Sequence, residues 1–193
     1  SSTPVDQDWM AQFFECSCDV SHEQMQRLWA KLLAGEVVKP GTFSRRTLTI
    51  LRDMSPDDAE KFQRIARLVW TAGVAIIPRV AMDSEFFAEF QTSDGDLLDC
   101  EDAGLVNATG TVAMTLGSGA LFFGGNRYDL IPPSATPPPG IPVYPLTAAG
   151  RELYRICEPT QSPDFAVRVV ELFRSRGFQV NRVGQPPSVD TRA

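Results

Sequence analysis

Apolar positions recur along the chain at two different spacings, and the change from one to the other falls near residue 74. Before it the spacing is helical. Met25, Leu28, Trp29, Leu32 and Leu33 fall at i, i+3, i+4, i+7 and i+8, which is one stripe along a helix. Val20-Ser21-His22-Glu23-Gln24 precedes the stripe and reads as a hydrophobic staple residue, an N-cap at Ser21 and a capping box closed by Gln24. Gly35 stands where the stripe ends, and Pro40-Gly41 marks a turn. Ser44 predicts a cap for a helix over 45–52 with Leu48 and Leu51 inward. Ser55-Pro56-Asp57-Asp58 predicts another start: a capping hydroxyl, a proline whose missing N–H costs nothing in the first turn, and two acids at the positive end of the helix dipole. Ala59, Phe62, Ile65, Ala66, Val69 and Trp70 carry that stripe to Gly73.

After Gly73 the pattern turns to strands broken by short helices. Val74–Pro78 is a short apolar run. Residues 93–103 read as a helix with Leu97, Leu98 and Ala103 inward and Gly104 just past its end. Val112, Met114 and Leu116 alternate; Gly117-Ser118-Gly119 turns the chain; Leu121–Phe123 and Tyr128–Leu130 flank Gly124-Gly125-Asn126, which is hairpin chemistry. The proline-rich stretch 132–142 reads as a stiff surface connector. Leu146-Thr147 opens a helix with Leu153 and Ile156 inward. Ser162-Pro163-Asp164 opens the next, with Phe165, Val169, Val170 and Phe173 as its stripe and Gly177 as its stop, before a last strand at Phe178–Val180. The predicted architecture is α+β: a helical region over 6–73 packed on a winged-helix-like region over 74–183 with a β-hairpin, and a flexible tail over 184–193.

Two segments carry a resemblance. Leu28-Trp29-Ala30-Lys31-Leu32-Leu33-Ala34-Gly35-Glu36, followed by Pro40-Gly41-Thr42-Phe43-Ser44-Arg45-Arg46-Thr47-Leu48, resembles the shared segment, roughly LWAxLLAGE and PGSFSxRTL, of a bacterial family known as domain of unknown function 2806. Leu146-Thr147-Ala148-Ala149-Gly150-Arg151-Glu152-Leu153 is similar to its LTxxGxEL element. With Asp102-Ala103-Gly104-Leu105-Val106 the resemblance spans residues 9–180. It implies a bacterial origin and brings no activity, cofactor or site residue with it.

Charge narrows the partners. The net charge is -6 over 193 residues, and all of it falls in 81–193, which carry 8 Arg, no Lys and 14 Asp+Glu; 1–80 balance 10 cations against 10 acids. The helix before the hairpin, where a DNA-reading winged helix would enter the groove, holds Asp94, Asp96, Asp99, Glu101 and Asp102 and no base, so it would repel phosphate. Those acids do not have the spacing of a calcium loop and read as a solvated helix face. Lys39, Arg45, Arg46 and Arg52 form the one basic cluster and are the candidate anion or partner contact. Leu121, Phe122 and Phe123 are the candidate protein interface, because alternation must send either Phe122 or its two neighbours outward.

Four irregularly spaced cysteines (Cys16, Cys18, Cys100, Cys157) and a single histidine, His22, suggest free thiols in a reducing cytoplasm and supply no metal set. No apolar run approaches the roughly 20 residues that span a bilayer. The opening Ser1-Ser2-Thr3, without Met, reads as a piece of a longer chain. With no nucleophile, metal or cofactor motif, the expectation is a non-enzymatic, cofactor-free protein-interaction or regulatory module that binds a protein partner or itself and no membrane. The alternative is a nucleic-acid-associated regulator that uses the 39–52 cluster.

Overall fold

The computed structural model describes residues 4–80, 84–110, 112–134 and 137–183, so the 184–193 tail lies outside the described residues. The elements run α1 (Gln7–Ser17), α2 (Glu23–Val38), α3 (Arg45–Asp53), α4 (Pro56–Ala66), β1 (Trp70–Thr71), β2 (Ala75–Pro78), α5 (Ser84–Phe90), α6 (Asp94–Asp102), β3 (Val112–Met114), β4 (Gly119–Phe123), β5 (Asn126–Ile131), β6 (Ile141–Pro145), α7 (Ala148–Cys157), α8 (Pro163–Ser175) and β7 (Gln179–Val183). The strands form one antiparallel sheet in the order β3-β6-β2-β1-β4-β5-β7. The protein is α+β. No helix among the described residues is long and apolar enough to cross a membrane.

Most of the punctuation acts as its chemistry predicts. Ser44 caps α3 by accepting from the Thr47 N–H, and Ser55 closes a reciprocal capping box with Asp58 behind Pro56. Gly124 and Gly125 both have positive φ, at 58° and 73°, so β4 and β5 are joined by the two-residue turn whose twist suits a hairpin. Thr147 caps α7, and Gly177 follows α8 at a φ of 83°.

Several expectations are corrected. The N-cap of α2 is His22 rather than Ser21, and its side chain makes no capping bond. Gly35 does not stop α2, which runs on to Val38; a Cβ there would lie 2.8 Å from the Phe43 ring, so its role is close packing. Leu98 is exposed, and Asp96 takes the buried position on α6 instead. The end of the proline-rich stretch is not a surface connector: Ile141–Pro145 is β6, an interior strand between β3 and β2. Its prolines are tolerated because a proline still offers a carbonyl, and Pro142 O accepts from Arg79 N. Helix α1, unrecognised in the sequence, is capped by Asp6 and buries Trp9, Phe13 and Cys16. The hairpin is not a free wing, since β4 also pairs with β1 and β5 with β7.

A single apolar core runs through both regions. Trp9, Phe13 and Trp29 cluster in the helical part, with ring centroids 5.4–5.5 Å apart. Trp70, assigned by its stripe to a helix, instead lies in β1 at the middle of the sheet. There it packs on Phe123 and Tyr128 at 4.8 and 4.9 Å and on Phe173 of α8 at 6.4 Å.

Candidate interaction surfaces

The residues of the two recognised segments are spent on joining elements to one another. Glu36, at 1% exposure, accepts from the Gly41 N–H at 2.5 Å through Oε1 and from the Phe43 N–H at 2.9 Å through Oε2. It thereby pins the α2–α3 loop, whose Phe43 ring fills the space beside Gly35 and whose Phe43 carbonyl accepts from Trp9 Nε1 at 2.8 Å. Glu152, from the second segment, accepts from the Ser44 N–H at 2.7 Å and the Thr47 hydroxyl at 2.6 Å, placing a carboxylate on the N-terminus of α3. Thr147 donates from its hydroxyl to Gly104 O at 2.6 Å and from its backbone N–H to Leu105 O at 3.0 Å. Gly150 sits so close to that same Leu105 carbonyl that a Cβ would lie 2.0 Å from the oxygen. Three sequence-distant segments are thus locked by short polar contacts, which explains their residue types without a ligand.

The basic cluster is dispersed by its local partners. Arg45 donates from Nε to Gln12 Oε1 at 2.6 Å, and Arg52 pairs with Asp53 at 2.8 Å on an exposed surface. That ion pair raises the affinity of Arg52 for its proton and holds the Asp53 carboxyl below its ordinary range. Lys39 and Arg46 are exposed, and their side chains make no hydrogen bond or ion pair among the described residues. Arg46 lines a cleft of about 660 Å³ together with Lys61 and the acids Asp53, Asp58, Asp99 and Asp102. A phosphate there would meet more carboxylates than cations.

Helix α6 is not a plain solvated face. Asp96 closes a capping box with Ser93 and takes a two-point contact from Arg64, with Nη2 at 3.0 Å and Nε at 3.2 Å. Lys61 bridges Asp57 and Asp99, which raises its pKa. Glu101 accepts from the Ala108 and Thr109 N–H groups, and those bonds lower its pKa. For Asp96, burial opposes ionisation, but Arg64, the Thr92 hydroxyl and the Ser93 N–H outweigh it and hold the carboxyl below its ordinary range. Because the folded-state pKa is depressed, this contribution is complete above the unfolded value of about 4 and disappears as the pH falls through the folded one. Asp96→Asn is therefore expected to cost about 2 kcal/mol at neutral pH. The gap in urea midpoint between variant and parent should begin to shrink below about pH 4 and close only once the pH lies below the lowered pKa of Asp96; a gap that stays constant with pH would contradict the assignment.

At the hairpin the structure resolves which residue faces out. Leu121 and Phe123 are buried, at 2% and 3%, whereas Phe122 is 46% exposed. Register places Phe122 opposite Arg127 on β5, and Arg127 opposite Val183 on β7, so the three form one row. Asp129 and Ile131 follow Arg127 on the same face. Ile131 and Val183 are 46% and 42% exposed, so the outer face of β4-β5-β7 carries three half-exposed apolar side chains around the Arg127–Asp129 ion pair. The extension to β5 and β7 was not recognised in the sequence; the alternation of Arg127, Asp129 and Ile131 was its available signal.

Burial pushes the Cys100 and Cys157 thiols up to about 12, so both stay protonated at neutral pH. Among the described residues no three His, Cys, Asp or Glu side chains converge on a point where a metal ion would sit. No curated protein and no solved structure matches the chain. A family model described as "Protein of unknown function (DUF2806)" matches residues 1–169, most of the 193-residue chain. Its match spans both segments whose glutamates and glycines lock the helices together, and the chain belongs to that family.

Proposed function

We propose that this chain is a non-enzymatic interaction module that works by pairing, face to face, with a second copy of itself through the outer surface of β4-β5-β7. The observation that carries this reading is the exposure of Phe122 between two neighbours that are buried. Phe122, Ile131 and Val183 are three half-exposed apolar side chains set around the Arg127–Asp129 pair on one sheet face, a mixed surface of the kind that protein contacts use. The charges favour a copy over an unrelated polyanion. The face carries one cation and one acid side by side, Arg127 and Asp129, so a two-fold-related copy can offer Asp129 to Arg127 and Arg127 to Asp129. Phosphate would find no net positive charge there. The winged-helix-like order of α6, β4-β5 and α7 serves, in this reading, as a packed scaffold for protein contact.

Sedimentation equilibrium of the whole chain at micromolar concentration is expected to give twice the chain mass. Phe122→Asp is expected to give the single-chain mass while staying folded, with a melting temperature that matches the parent's once both are diluted below the pairing concentration. A parent protein that stays at single-chain mass, or a Phe122→Asp protein that remains paired, refutes the proposal.

A further inference from the structure

On the opposite face of the same strands a second feature stands apart from the pairing surface. Helix α8 crosses the inner face of β4-β5-β7 and packs closely at one end, where Phe173 meets Phe178 at 5.9 Å. Toward the hairpin turn it leaves a cleft of about 490 Å³, a size typical of small-molecule sites. Its strand side presents Phe123 and Tyr128, both backed by Trp70. Its helix side presents Ala166, Val167 and Val170.

Polar groups with spare capacity stand in this apolar setting. The Tyr128 ring is buried, and its hydroxyl, which makes no hydrogen bond among the described residues, is open to the cleft and free to donate. Arg182 lies directly across from Tyr128 in the strand register and uses one guanidinium nitrogen on Asn126 Oδ1 at 2.6 Å. Arg174 makes only a long bond, 3.4 Å, to Val180 O. Neither arginine has a carboxylate partner among the described residues, and Glu171 is the one acid that lines the cleft. Two guanidinium groups against one carboxylate leave a net single positive charge beside two aromatic rings and an accessible hydroxyl.

We infer that this cleft is a binding site for a small aromatic carboxylate: the flat apolar body lies between the Phe123–Tyr128 rings and α8, and the acid group is held by Arg182 and Arg174 with the Tyr128 hydroxyl as a further donor. A planar carboxylate suits a guanidinium because two parallel N–H groups match its two oxygens.

The test is a titration of the uniformly nitrogen-15-labelled whole chain, followed by NMR, with 2-naphthoate, and with 2-naphthamide and 2-naphthylmethylammonium as neutral and cationic probes of the same body. Naphthoate is expected to shift the amides of Gly124, Asn126 and Val167 and to bind at least about tenfold more tightly than either comparison probe. Arg182→Gln should remove that preference, and Tyr128→Phe should weaken naphthoate about fivefold while leaving the spectrum otherwise folded. Phe122→Asp, on the far face, should leave naphthoate binding unchanged, so failure of the pairing proposal would not touch this one. Absence of shifts at the cleft with millimolar naphthoate, equal binding of the three probes, or a preference that survives Arg182→Gln overturns the inference.

Discussion

Gly150→Ala is expected to destabilise the protein by about 3 kcal/mol or more, at the upper end of what overpacking costs. The reason is geometric. A Cβ at this position would stand 2.0 Å from the Leu105 carbonyl oxygen and 2.9 Å from its carbon. Those atoms are backbone, so no rotamer change relieves the overlap; α7 or the α6–β3 loop must move. Moving either breaks the bonds that Thr147 makes to Gly104 and Leu105, which hold the start of α7. Gly119→Ala is the control, since nothing lies within 4 Å of a Cβ there, and its urea midpoint should match the parent. A Gly150→Ala protein as stable as the control would show that the contact is not tight.

Glu36→Ala is expected to cost roughly 2–5 kcal/mol, because it strands two backbone N–H groups and each unsatisfied donor costs about 1–3 kcal/mol. The Gly41 and Phe43 N–H groups have no other acceptor in this loop, and Phe43 is 3% exposed, so water does not readily replace the carboxylate. The loss should spread: Phe43 holds its ring against Gly35 and its carbonyl against Trp9, so α1 loosens with the loop. Hydrogen exchange gives the direct readout, with faster exchange expected at Gly41, Phe43 and the Trp9 indole. Glu36→Gln keeps one acceptor and should fall between parent and alanine. An alanine variant with parental stability and exchange would show that the carboxylate is dispensable.

Both predictions fall on the recognised segments, and they show what was legible there. Ser44, Ser55 and Thr147 announced their helices because a capping hydroxyl acts within three residues of itself. Gly124-Gly125 announced the hairpin because a two-residue turn needs positive φ at both positions. Glu36 and Glu152 look in sequence like ordinary charged helix residues. Their partners lie 5 and 7 residues on for Glu36 and more than a hundred residues away for Glu152. Leu98 and Asp96 were exchanged for the same reason: hydrophobicity favours burying the leucine, but Arg64, on another helix, compensates the buried acid.

The candidate surfaces divide along the same line. Alternation alone requires that Phe122 face away from Leu121 and Phe123, but it cannot say which face is covered, because that depends on where α8 packs. The basic cluster is contiguous in sequence, yet Gln12 and Asp53 engage two of its members, and the acids of α4 and α6 surround a third.

By itself, the sequence determined the α+β class, most helix starts, the hairpin turn and the acidic balance, since each follows from local backbone chemistry or from simple composition. Only the tertiary structure decided that β6 enters the sheet through its prolines, that Trp70 is a sheet residue, that two glutamates act as loop clamps, and that Phe122 rather than its neighbours is outward. Those outcomes rest on hydrogen bonds and burial between segments distant in sequence, which periodicity and propensity do not encode.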